Sequence, residues 1–196
     1  MKKTIWIPLV LGAVFGVVAG ASWAANLTFL AGGWAIGFYV VFYLLAAALG
    51  GPISSILSVS LVLIIVIFLG PADIKVIASN PIIFTTNWIV ISIELILISF
   101  VYRLIFERLK MPTRLLPWIG MVILYYVILV PTLSYSQTML GYPVPQPVSE
   151  FITASYKGYI PQVIADIVIT SLIFFALPER YRRPLWYERK KKGGGS

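Results

Sequence analysis

The sequence contains no histidine and no cysteine, and only 11% of its residues are charged. Without histidine there is no imidazole for acid–base catalysis. Without cysteine there is no thiol nucleophile, no disulfide and no thiolate zinc site, and thiol usage gives no reading of redox compartment. The scarcity of charge excludes more. Soluble domains carry about 25% charged residues, and disordered chains are poor in apolar ones. This chain is 60% hydrophobic, with a mean hydropathy of +0.95. A polytopic membrane protein remains. At about 20 residues per crossing, its length accommodates six crossings and their connections. The expected fold is all-α: a six-transmembrane-helix bundle forming one domain over residues 1–192. Gly193-Gly194-Gly195-Ser196 reads as an appended linker.

Six apolar runs are visible. The first, Ile5 to about Ala21, follows Lys2 and Lys3 and precedes Ala21-Ser22-Trp23-Ala24, a layout close to a secretory signal. Because the rest of the chain is itself membrane-embedded, it is taken as the first transmembrane helix. The second, Trp34 to Leu49, is broken from the third, Ile53 to Leu69, by Gly50-Gly51-Pro52. The fourth runs from Trp88 to about Phe106, the fifth from Leu115 to about Leu133 and the sixth from Ile160 to Leu177. Several are short for a crossing, which predicts steep helices or a thinned bilayer. Pro131 is expected to kink or end the fifth.

The net charge of +8 does not signal nucleic acid, because the basic residues cluster beside apolar runs. With both termini cytoplasmic, the inside segments hold Lys2, Lys3, Arg103, Arg108, Lys110, Arg114 and the tail from Arg180 to Lys192. The outside loops hold only Lys75 and Lys157, a positive-inside pattern that fixes the orientation of the six spans, and the expected location is a prokaryotic plasma membrane as a multi-pass protein. The outside loops run about 12, 18 and 25 residues, longer than usual connections. The last contains the stiff stretch Tyr142-Pro143-Val144-Pro145-Gln146-Pro147. Asn26-Leu27-Thr28 matches a glycosylation sequon, read here as accidental.

Two acids lie deep in apolar runs, Glu94 in the fourth and Asp166 in the sixth. A carboxylate in the bilayer costs several kcal/mol unless paired, protonated or watered, so each is a functional-site hypothesis. Each follows the start of its run by about six residues, which places both roughly 9 Å below the outer boundary. Tyr159, Gln162, Asp166 and Thr170 form a stripe at helical spacing, and Asn87 lies two turns above Glu94. With Tyr125, Trp34 and Trp88 these residues compose a candidate outward-facing substrate pocket. Its negative charge suits a cationic or amine-bearing ligand, stacked on Trp34, Trp88 or Tyr159. The competing readings are packing acids and interfacial anchor aromatics. Gly12, Gly16 and Gly20 form a small-residue ridge that serves either packing within the bundle or docking to another membrane subunit.

This layout resembles the substrate-binding S-component of energy-coupling factor (ECF) transporters: six spans, both ends inside, a short second–third turn, long outside loops and a small-residue ridge on the first helix. The family's ridge is typically Ala-rich, whereas this one is glycine. The resemblance implies capture of a vitamin-like micronutrient by the later helices and outside loops, with Glu94, Asp166, Gln162 and Tyr159 where ligand contacts occur. It also implies docking through the first helix to a transmembrane coupling subunit driven by an ATPase pair. The chain has no Walker A pattern, so ATP hydrolysis would belong to those partners, and no motif requires a cofactor or metal. Alternatives are an intramembrane aspartic-type hydrolase using Glu94 and Asp166, and a stand-alone proton-coupled carrier.

Overall fold

The computed structural model describes residues 3–24, 28–31, 34–70, 80–109, 115–139 and 147–186. These form α1 (Lys3–Ala24), β1 (Thr28–Ala31), β2 (Trp34–Gly37) and α2 (Tyr39–Leu45). A π-helical turn (Ala46–Gly50) then leads to α3 (Gly51–Leu69), followed by α4 (Pro81–Arg108), α5 (Leu115–Met139), α6 (Val148–Ala176) and a 3₁₀ turn (Glu179–Tyr181). Among the described residues, five helical stretches are long and apolar enough to cross a membrane: Trp6–Ala24, Tyr39–Leu69, Phe84–Arg108, Leu115–Thr132 and Val148–Ala176. The polarity of α6 is inverted relative to a soluble helix. Its buried residues are Gln162, Asp166, Thr170 and Phe174, while Ile164, Val168, Leu172 and Phe175 point outward. Polar groups gather inside and apolar ones outside, as a hydrocarbon solvent demands.

Several boundaries differ from those read in the sequence. Trp34 does not open a helix. It opens β2, which pairs antiparallel with β1 in the register Thr28↔Gly37 to Ala31↔Trp34, so the described elements are helical apart from this ribbon. Helix α4 begins at Pro81 rather than Trp88, with Asn80 Oδ1 accepting from the Ile82 amide at 3.0 Å. Asn before Pro caps the helix, since Pro at the first position sacrifices no intrahelical bond. Helix α6 begins twelve residues before Ile160, and α5 continues past Pro131 to Met139. The later helices are therefore longer than their apolar runs, not short. The Tyr142–Gln146 stretch, Lys75 and Asn26 lie outside the described residues.

The glycine ridge of α1 is filled by the chain itself. A Cβ on Gly12 would stand 2.9 Å from the Ser54 Cα, one on Gly16 2.8 Å from the Ser58 Cα, and one on Gly20 2.8 Å from Ile65 Cδ1. Gly12, Gly16 and Gly20 are thus the seat of α3 and not a surface for a separate subunit. The four-residue step of glycines meets the same step of serines, and two backbones close to a distance that any larger pair would forbid. The matched positions ascend together, so α1 and α3 run in the same direction. The chain between them must return, and α2 with its π-helical turn makes that return.

At the end of α2 the direction changes at Gly51, which has φ +73° and ψ −160°. That conformation suits glycine, and Pro52 follows within the first turn of α3. Helix α4 packs back along α3, with Trp88 Nε1 donating to Ser60 Oγ at 2.9 Å. Trp118 of α5 joins Tyr102 of α4 and Phe174 of α6 in edge-on contacts. Arg103, Arg108, Arg180, Arg182 and Arg183 fall at the end of the bundle near Gly51. Lys157 lies toward the other end, nine residues before Asp166.

Candidate functional site

Asp166 is the centre of a closed hydrogen-bond network. Tyr126 Oη donates to its Oδ2 at 2.7 Å, and Gln162 Nε2 donates to its Oδ1 at 2.9 Å. The Gln162 amide also bonds to the ribbon: Gly37 N donates to Oε1 at 2.6 Å, and Nε2 donates to the Gly37 carbonyl at 2.6 Å. Gly37 ends β2, so its peptide groups lack a further strand partner. Irregular backbone among membrane helices survives only where protein satisfies it, and the Gln162 amide acts as that missing partner. Thr170 Oγ1 donates to the Asp166 carbonyl and to the Ile167 carbonyl at 3.2 Å, stitching the next turn of the same helix.

The stripe predicted on α6 therefore exists and is buried, yet its groups are occupied by one another. Gln162, Asp166 and Thr170 hold ribbon, α5 and α6 in register. Trp88 is likewise committed, to Ser60 on α3. Tyr159, 38% exposed, lies 5.4 Å from the Tyr126 ring and extends the stripe toward the ribbon end. Asn87 is partly buried on α4, two turns before Glu94. Trp34 heads β2, and its side chain is outside those described.

Glu94 is the opposite case. It is 2% exposed, and neither carboxylate oxygen makes a well-formed hydrogen bond, the Leu129 backbone of α5 being the polar group beside it. The Tyr43 hydroxyl is also buried and unpartnered. Tyr125, 1% exposed, lies within electrostatic range of Glu94, Tyr39, Tyr43 and Tyr159, and Tyr39 within range of Asp166. Glu94 thus adjoins Tyr125, while Asp166 binds the next residue of α5. Both acids have a neighbour on α5 in the Tyr125-Tyr126 pair, although α4 and α6 begin earlier than the boundaries used to place them. No hydrogen bond joins the two carboxyls among the described residues, and both Asp166 oxygens are already bonded, which is not the shared-proton geometry of an aspartic dyad.

The sequence reading missed Tyr126, Gly37, Tyr39 and Tyr43. Of the Tyr125-Tyr126 pair, Tyr125 alone is among the residues expected from the sequence. In fact Tyr126 faces Asp166, and Tyr125 meets it edge-on with ring centroids 5.3 Å apart. Tyr39 and Tyr43 had a readable signal in their four-residue spacing, and their rings meet edge-on at 6.2 Å. Trp23 of α1 stacks on Tyr39 at 4.8 Å, so the aromatic group reaches the first helix. Comparison with protein-family models, curated proteins and solved structures yields no match.

Proposed function

We propose that this chain is a membrane-embedded substrate-capture subunit that takes a small, vitamin-like, cationic or amine-bearing micronutrient. Glu94 is the observation that carries the reading. A buried carboxyl without a well-formed hydrogen bond costs several kcal/mol in a bilayer. Asp166, by contrast, accepts a hydrogen bond on each oxygen from α5 and α6. Glu94 lies within electrostatic range of the Tyr125 phenol, and along its own helix the first basic residue, Arg103, is nine positions away, about 14 Å. A buried carboxyl beside a phenol, with no ion pair of its own among the described residues, suits an organic cation.

The reading includes six crossings, with Tyr39–Leu69 contributing two that meet at Gly51. The arginine-bearing end faces the cytoplasm and the ribbon end faces outward. The parallel course of α1 and α3 and the grouping of the described arginines support this arrangement. Coupling to a membrane partner and its ATPases, as in ECF S-components, would use the outward face of α1, where Trp6, Val10, Val14 and Val17 are exposed, because the glycine face is filled.

The test is thermal unfolding of the purified chain in detergent with thiamine, its pyrimidine precursor and a panel of other vitamins. A ligand specific for the folded state raises the melting temperature. The expected result is a shift with a cationic member of the panel that disappears in Glu94→Gln. A panel that shifts nothing, or a shift untouched by Glu94→Gln, overturns the assignment.

A further inference from the structure

The segment after α6 folds back over the arginine-bearing end of the bundle. Its anchor is Trp186. A Cβ on Gly51 would stand 2.4 Å from the indole ring, so the ring lies directly on the glycine where α2 turns into α3. Leu185 N donates to the Leu49 carbonyl at 2.9 Å. On α4, Phe100 meets Trp186 edge-on at 5.7 Å, and the Arg103 guanidinium lies 5.5 Å from its ring centroid. Tyr102 Oη donates to the Arg182 carbonyl at 2.8 Å. Arg182 in turn donates from Nε to the Leu177 carbonyl at 2.7 Å and lies over the Phe174 ring at 4.9 Å.

Phe174 is the last buried residue of the α6 stripe. The segment therefore covers the end of the same interior line that begins with Gln162 at the ribbon. Gly51 is doubly constrained, by its positive φ and by the indole on it, although a turn needs only the first. An arginine that satisfies the carbonyl at the end of α6 while stacking on Phe174 ties the cover to the stripe.

We infer that Leu177–Trp186 is a strap that seals the arginine-bearing end of the polar stripe, with Trp186 on Gly51 as its latch. Any passage between the stripe and that side of the membrane requires the strap to lift. This goes beyond ligand capture and does not depend on the ligand's identity.

The absence of native cysteine gives a clean test. Thr170→Cys places one thiol on the stripe, a turn from Phe174. Ser22→Cys, made separately, places one at the far end of α1. Each protein is reconstituted in sealed liposomes and exposed to a membrane-impermeant maleimide, added outside or trapped inside. With the native strap the Thr170→Cys thiol reacts slowly from both sides. Adding Trp186→Ala speeds it by about tenfold or more from one side only, as expected when a local closure loses its aromatic anchor. Adding Gly51→Ala does the same from the other partner, and Trp186→Phe restores slow labelling. Unchanged rates overturn the inference. So does an equal rise at Ser22→Cys, which would mean that the whole bundle had loosened.

Discussion

Asp166 bonds to Tyr126 of α5 and Glu94 lies within electrostatic range of the neighbouring Tyr125, and both are almost fully buried. Their surroundings differ completely. Asp166 accepts a hydrogen bond on each oxygen, and its donors reach α5 and, through Gln162, the ribbon. Glu94 makes no well-formed hydrogen bond. A buried acid that organises structure is known by its filled acceptors, because an unmet polar group in a dry interior costs about as much as its desolvation. An acid without well-formed bonds in the same environment has no such structural return. If Asp166 belongs to the frame and Glu94 to the proposed ligand, substitutions at the two places should have opposite consequences.

The largest effect belongs to Asp166→Ala. It strands the Tyr126 hydroxyl and one Gln162 proton together, and each buried donor left unmet costs about 1–3 kcal/mol. Unfolding in detergent should show a loss of about 2–4 kcal/mol, within that range for two donors. A loss below that of any single hydrogen bond would mean that the network does not hold the bundle.

Gln162→Leu comes next. It keeps the size of the side chain but takes away the bonds to the Gly37 amide and carbonyl and to Asp166 Oδ1. The expected loss is about 2 kcal/mol, below that of Asp166→Ala because the ribbon can open locally to meet its groups with water. Hydrogen exchange should reveal where the damage falls. The Gly37 amide should lose protection while the amides of α3 keep theirs, since local opening follows local contacts.

How far this site was legible in the sequence follows from the same contrast. The stripe of Gln162, Asp166 and Thr170 was readable because helical spacing alone puts them on one face. The acids were readable because charge is so rare in this chain. Which acid is satisfied was not, because its donors come from α5 and the ribbon, and no local pattern specifies them. The ribbon itself hid in plain view. Thr28–Ala31 and Trp34–Gly37 flank Gly32-Gly33, a hairpin signal, but their apolar residues also fit the start of a membrane helix. Apolar runs set the ends of α4 and α6 too late, since the Asn80-Pro81 cap and the Glu150 first turn lie in polar sequence. The ridge of Gly12, Gly16 and Gly20 announced a close helix contact, but only α3's Ser54 and Ser58 show whose helix fills it.

A smaller and more local comparison uses the two neighbouring tyrosines. Tyr126→Phe removes a hydrogen bond to Asp166, worth about 1.5–3 kcal/mol if the acceptor is charged and nearer 1 kcal/mol if it is not. Tyr125→Phe removes a hydroxyl to which no hydrogen bond is assigned, and should change stability by less than about 0.5 kcal/mol, the scale of a substitution that breaks no contact. Equal losses would show that the two rings share the acid, and would break the division drawn between the two sites.

Glu94→Gln should have the smallest effect on stability and the most telling one on function. Removing such a buried acid takes away desolvation cost and no well-formed hydrogen bond, so stability should change by no more than about 1 kcal/mol, with a gain as the expected sign. Glu94→Leu should be as stable or more so, since apolar replacement of a buried ionisable group is often neutral or stabilising. Both variants should lose the ligand-induced rise in melting temperature, which Tyr125→Phe only reduces. Unfolding with and without the shifting vitamin separates these terms. A large destabilisation by Glu94→Gln would mean that the carboxyl has a structural partner after all, and Glu94 would then belong to the frame alongside Asp166.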